Sequence, residues 1–291
     1  QVRRRGDGAL VLVDGERRVA LTPAADDVER RLHGVVLGRA LLSESRGEGG
    51  AARTRLYLAG VDGVREGPEL PCVRALALAG EQVLALAGAP ERPSLRLFQL
   101  AEGWGHAEAR PWRDDEDATD LAVLSDTRVA ITVQRASRAV LYLVERANHS
   151  YARTIALPCV APQIIGRGAH TLWIVGRSPP PGPARCDLFR VDPATGKVVV
   201  ETAELDSPVE DVVVDEVGTE AVLVTRRGVY LTGAGALREL AERHPLDEVT
   251  GLAFQGCPAV FLRGPSGARL ILGPDRLVVP LRAPGYAPRY L

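Results

Sequence analysis

The carboxylates of this chain gather in a few short stretches. Asp114 to Asp120 reads DDEDATD, Asp26, Asp27 and Glu29 form a second group, Asp206, Glu210 and Asp211 a third, and Asp247 with Glu248 a fourth. Grouped carboxylates can dock a basic peptide or protein by charge complementarity, hold a hard cation such as Ca²⁺, or divide acid and base roles in hydrolysis. The cation reading is the poorest, because DDEDATD lacks the central glycine and the ligand order of a calcium loop. For hydrolysis of a glycoside or ester the pair to weigh is Asp120 and Asp211, each of which opens a comparable apolar run. Against these thirteen acids the same stretches hold five arginines, Arg30, Arg31, Arg74, Arg113 and Arg243.

Several absences speak against catalysis. His33 and His244 lie near the acidic groups, but no serine or cysteine nucleophile stands beside either in sequence, and a lone loop histidine is more often incidental than catalytic. Arg46 to Gly50 (RGEGG) does not join a strand to a helix, so it makes no phosphate cradle. Asn148 is the sole asparagine.

The elements that must position these residues are spaced by proline. Pro23, Pro71, Pro111, Pro158, Pro208, Pro245 and Pro284 each close a short apolar run, and successive ones are 48, 40, 47, 50, 37 and 39 residues apart. Proline has no backbone N–H and a fixed φ, which suits the end of an edge strand. Between the prolines the runs are short and broken by Gly and Asp, without the 3.6-residue period of a helix. The unit after Pro208 shows four strands, a to d: Asp211 to Asp215, Glu220 to Thr225, Gly228 to Thr232 and Leu237 to Ala241. The unit after Pro111 repeats them at Asp120 to Leu124, Arg128 to Val133, Ala139 to Val144 and Tyr151 to Leu157, and the unit after Pro245 does so at Thr250 to Phe254, Ala259 to Arg263, Ala268 to Leu272 and Arg276 to Leu281. Four-stranded units with a period near forty to fifty are the signature of β-propeller blades.

The two ends complement one another. Ala9 to Val13 and Arg17 to Leu21 run parallel in sequence to strands c and d of the last unit, with Val2 to Arg5 as a stub of b, while Pro284 to Leu291 (PGYAPRYL) resembles the start of an a strand, as in Pro158 to Ile165. The fold expected is therefore all-β: one domain, a seven-bladed propeller of four-stranded antiparallel blades closed by pairing the terminal strands. Its blades fall at residues 24–71, 72–111, 112–158, 159–208, 209–245, 246–284, and 285–291 with 1–23. Closure removes exposed sheet edges. Six blades with an N-terminal hairpin is the alternative.

A chain that is 46% hydrophobic and 25% charged can bury a large core, and a formal net charge of −1 gives no general attraction for nucleic acid or anionic lipid. No run reaches the roughly twenty apolar residues of a membrane helix. Cys72 and Cys159 occupy equivalent places in separate units, and Cys186 and Cys257 lack metal-type spacing, so neither a disulfide framework nor a metal site is expected. This tilts the location to the cytoplasm. The chain starts at Gln1 and contains no methionine, so a preceding segment removed by processing or trimming stays open. Lys197 is the only lysine beside 35 arginines, so the rims are set for bidentate contacts. Trp173 reads as core, whereas Trp104 and Trp112 flank an outer strand, either packed between units or exposed as contact points.

One hairpin, Leu188 to Thr202 (LFRVDPATGKVVVET), resembles the blade hairpins of bacterial quinoprotein and YVTN-repeat propellers. Strand order and period also resemble the WD-repeat class, without its Gly-His and Trp-Asp dipeptides. The resemblance implies a propeller and no quinone or other cofactor. In such a ring the d-to-a and b-to-c loops surround the mouth of a central channel. The function expected is a non-catalytic scaffold, bacterial and monomeric, whose acidic loop face receives a protein or peptide with a basic surface. Its binding residues would be Asp114, Asp115, Glu116, Asp117, Asp120, Glu210, Asp211, Asp247, Arg74 and His33. The alternative is a hydrolase or lyase acting through Asp120 and Asp211, with or without a metal.

Overall fold

The computed structural model describes residues 2–4, 10–14, 17–20, 28–89, 91–100, 103–148, 150–179, 186–202, 209–233, 236–244, 246–254, 257–265, 267–273 and 277–281. Among them there is no α-helix, and one short 3-10 turn stands at Gly49–Ala51. The strands form six four-stranded antiparallel sheets and one three-stranded sheet, each built from consecutive strands in meander order. The three-stranded sheet joins Val2–Arg4, Leu10–Asp14 and Arg17–Ala20. The N-terminal stub and hairpin are therefore strands, while the stretch expected to complete them, Pro284 to Leu291, lies outside the described residues.

With strands named a to d in chain order, the first four-stranded sheet comprises Glu29–Val36, Arg39–Arg46, Arg53–Gly60 and Gly63–Pro71. The second comprises Ala75–Ala79, Gln82–Ala89, Arg92–Gln99 and Gly105–Ala109. The third holds Asp117–Val123, Arg128–Arg135, Arg138–Glu145 and Tyr151–Leu157. The fourth holds Val160–Arg167, Leu172–Arg177, Cys186–Val191 and Val198–Thr202, and the fifth Val209–Val214, Ala221–Thr225, Gly228–Gly233 and Ala236–Glu242. The sixth holds Glu248–Phe254, Cys257–Gly264, Gly267–Leu272 and Leu277–Leu281. Pro71, Pro111 and Pro158 stand at or just past the ends of d strands, as their chemistry requires.

The chain divides into two compact units, residues 1–136 with 140–154, and residues 137–139 with 155–291. In the first unit, Leu41, Leu56 and Leu58 of the first sheet meet Val83, Ala85 and Phe98 of the second. The other face of the second sheet, through Leu84, Leu86 and Leu95, meets Val129, Ile131 and Val140 of the third. In the second unit Trp173 and Leu188 pack on Ala221 and Leu223, and Val222, Val224 and Val229 pack on Val260, Leu262 and Ile271. Strands b and c of the second and fifth sheets are thus covered on both faces, which is why they read as continuous apolar runs. The d strands of the first three sheets are exposed along most of their length. Trp112 and Trp173 are buried, and Trp104 is half-buried, edge-on to Phe98 with 6.2 Å between ring centroids.

Strands b, c and d lie within two residues of their sequence-derived bounds. The a strands begin two or three residues earlier than expected, at Asp117, Val209 and Glu248. Each of the first two carries a bulge, between Ala118 and Asp120 and between Val209 and Asp211. A bulge breaks the two-residue alternation by which a strand is recognised.

Candidate functional site

The d-to-a connections of the third and sixth sheets are folded by the same device. In Arg113 to Glu116, the Glu116 N–H donates to the Arg113 carbonyl (3.2 Å), and the Glu116 carboxylate accepts the Arg113 N–H in return (3.0 Å). In His244 to Asp247, the Asp247 N–H donates to the His244 carbonyl (2.9 Å), and Asp247 Oδ2 accepts the His244 N–H (3.1 Å). Each carboxylate then turns inward to a cation from its own sheet, Glu116 to Arg135 and Asp247 to Arg269 at 3.0 Å. Tyr142 also donates to Glu116, at 2.9 and 3.0 Å, and accepts from Arg135 Nη2 at 2.7 Å. Burial pushes the Glu116 carboxyl up, but the Arg113 N–H, the Tyr142 hydroxyl and Arg135 outweigh it and hold the group below its ordinary value. Glu116 and Asp247 are therefore buried clamps and not part of the open binding face expected from the sequence.

The remaining acids divide by partner. Asp114 and Asp115 are exposed, and the Asp114 carboxylate makes loose ion pairs with Arg110 (3.3 Å) and Arg92 (3.9 Å). Asp117, in strand a of the third sheet, pairs with Arg74 from just before strand a of the second (2.5 Å), and Arg74 also donates to the Ala118 carbonyl (2.6 Å). Glu210 lies between Arg243 (2.5 Å) and Arg226 (3.2 Å), and the Arg243 guanidinium, then Arg226, hold its carboxyl below the ordinary range against a smaller effect of burial. Asp120 accepts the N–H of its neighbour Leu121 (2.8 Å). Asp211 pairs through its backbone with Val224. The two carboxylates of the hydrolytic alternative belong to different compact units.

Three of the expected binding residues, His33, Arg74 and Asp120, line one cleft of about 480 Å³ in the first unit. It is also lined by Glu29, Arg31 and Leu32 and by Ser43, Ser45 and Thr54, of which Ser43 and Thr54 are buried. Ser45 Oγ and Thr54 Oγ1 lie 2.9 Å apart on paired strands. His33 sits within strand a rather than in the loop before it, and its Nε2 is 2.8 Å from Ser43 Oγ. Burial, then the charge of Arg31, push the His33 pKa below its ordinary value and favour the neutral ring. Sequence proximity could not reveal this hydroxyl, ten residues away. The pairing of strands a and b, which sets Arg31 opposite Ser43, is the signal that would have found it.

All four cysteines are free thiols. Cys159, buried at the start of the fourth sheet, is pushed up to about 12 by burial and then by Asp187.

No protein-family model matches the chain, and no curated protein matches it in sequence. Its structure is nonetheless similar to the β-propeller domain of the trilobed protease from Pyrococcus furiosus, which has an open velcro topology: TM-score 0.57 at 8% identity, over 89% of this chain and 86% of that one. The β-propeller domain of Cps50 (Swd1) from Myceliophteria thermophila aligns over 89% of this chain and 86% of its own, at 12% identity and TM-score 0.55.

The fold is that of a β-propeller.

A third similar structure is oligogalacturonate lyase from Vibrio parahaemolyticus, at 10% identity, TM-score 0.55, and 77% and 72% coverage. Identities this low carry the fold and nothing of the activity. Within the propeller, the clamped turns are d-to-a connections and the cleft lies among the a strands of its first three four-stranded sheets. No helix among the described residues is long and apolar enough to cross a membrane.

Proposed function

We propose that this propeller is an interaction module whose d-to-a loops dock a protein or peptide with a basic surface. The observation behind this reading is the clamped turn: Glu116 ties the Arg113 to Glu116 loop from inside and leaves Asp114 and Asp115 in solvent. A loop held in one shape loses little entropy on binding, so its outward charges are preorganised for a partner. The clamp at Asp247 supports the same reading, since it leaves Leu246, 72% exposed, at the tip of its loop as an apolar contact. The propeller proposed has seven blades, the first completed by residues 284–291 beside the N-terminal three-stranded sheet. A cytoplasmic location is part of the proposal and follows from the free thiols.

An array of arginine- and lysine-rich peptides, with neutral peptides as controls, tests the docking surface. The protein should bind the basic members in a salt-sensitive manner. The double reversal D114R/D115R should weaken binding by about tenfold or more through lost charge complementarity, with the melting temperature unchanged. Equal binding by the reversed protein, or no preference for basic peptides, would sink the proposal.

A further inference from the structure

Beyond the loop face, and independently of it, the cleft in the first unit holds a hydroxyl and an imidazole in reacting order. Strand a of the first sheet is bulged: Leu32 opposes Leu42 and Gly34 opposes Leu41, leaving His33 as the extra residue. Bulges re-aim side chains and recur next to active sites. This one depends on glycine, because Gly34 has φ +151° and a Cβ there would stand 2.7 Å from Leu78 Cδ1 of the next sheet. The displaced His33 ring meets Ser43 Oγ at 2.8 Å, within the distance of a nucleophile and its base. The third sheet also bonds its bulge residue to a b-strand hydroxyl, Thr119 to Thr132 at 2.9 Å, but neither partner there can act as a base. The fold thus supplies the bulge, and the residues placed in the first sheet supply the chemistry.

We propose that Ser43 and His33 are a nucleophile and general base that hydrolyse small carboxylic esters bound in this cleft. Leu32, 43% exposed, together with Val73, Ala75 and Leu76, offers an apolar wall for a short acyl group. Arg31 and Arg74 line the same cleft beside the acids Glu29 and Asp120, with Arg31 paired to Glu29 at 2.6 Å and Arg74 to Asp117 at 2.5 Å. In the first step Ser43 Oγ bonds to the carbonyl carbon while its proton passes to His33 Nε2. The tetrahedral intermediate then breaks its bond to the alcohol oxygen, which leaves with the proton from His33. Water repeats the sequence on the acyl-serine: His33 takes a proton from it, the new C–O bond forms, the Ser43 ester bond breaks with return of that proton, and the carboxylic acid departs.

The test measures hydrolysis of p-nitrophenyl acetate and butyrate by the whole chain, and labelling by a fluorophosphonate mapped by peptide mass spectrometry. The label should fall on Ser43, and the rate should rise with pH through a single group titrating below 6.5, as neutral His33 requires. S43A should abolish labelling and turnover. H33Q, which keeps a hydrogen bond to Ser43 and guards against misfolding of S43A, should lower the rate by about 100-fold or more at unchanged melting temperature. A background rate in the native chain, a label elsewhere, or H33Q or S43A turning over at the native rate would each overturn the proposal.

Discussion

Glu116 keeps its charge with its side chain fully out of solvent, because an N–H, a phenol and a guanidinium converge on it. Removing a buried, paired charge leaves its partner stranded, and Arg135 is 38% exposed, so part of that cost is recovered by water. E116A should therefore destabilise the protein by about 2–3 kcal/mol in urea unfolding, and E116Q by less. The sign of the pH dependence follows from the lowered carboxyl. The unfolded chain takes up this proton more readily, so the stabilisation is complete above the unfolded value near 4.5 and is lost as pH falls through the lower folded value. E116Q should flatten the acid limb of the stability curve, and an acid limb as steep as that of the native chain would contradict this account. Cys159 gives a second residue-scale expectation. With its thiol pushed up to about 12, it should resist alkylation in the folded protein at pH 8 and react after denaturation, as mass spectrometry of each cysteine peptide would report.

At the scale of elements, the turns between strands a and b carry close backbone contacts between neighbouring sheets. Gly168, after strand a of the fourth sheet, lies against Gly218 of the fifth: a Cβ on Gly168 would stand 2.2 Å from the Gly218 Cα. Thr171 Oγ1 donates to the Gly218 carbonyl at 2.8 Å and closes the contact. G168A should cost about 1–3 kcal/mol, since backbone must move to admit the methyl, and chemical denaturation would measure it. A loss under half a kcal/mol would mean that the two turns separate easily. The same scale explains what could be read in advance. Strands b and c of an inner sheet, such as Gln82–Ala89 and Arg92–Gln99, lie between two sheets and appear as apolar runs bounded by turn residues. Two of the three a-strand starts are hidden in the sequence because Thr119 and Glu210 are bulge residues that interrupt the alternation, whereas the strand from Glu248 pairs without a bulge.

For the whole molecule, each compact unit is built by stacking consecutive meander sheets, so its stability is a sum of blade interiors and blade-to-blade faces. The proposed closure makes a prediction of its own at this scale. Deleting residues 284–291 should lower the melting temperature and promote self-association through the exposed edge, seen by light scattering. An unchanged, monomeric protein would favour an arrangement that does not use those residues.

What the sequence by itself determined is the all-β repeat, the four-stranded unit and most strand bounds, because apolar runs, turn residues and prolines act through local geometry. It also pointed to His33, Arg74 and Asp120, which share one cleft. Only the tertiary structure decided which acids remain outside. Asp115 and Glu116 are neighbours of the same charge, yet one is in solvent and the other is buried against Arg135, because a side chain's fate depends on the strand that passes behind it. Ser43 came to His33 in the same way, through cross-strand pairing and a bulge that displaces one residue, and neither is expressed in any short stretch of sequence.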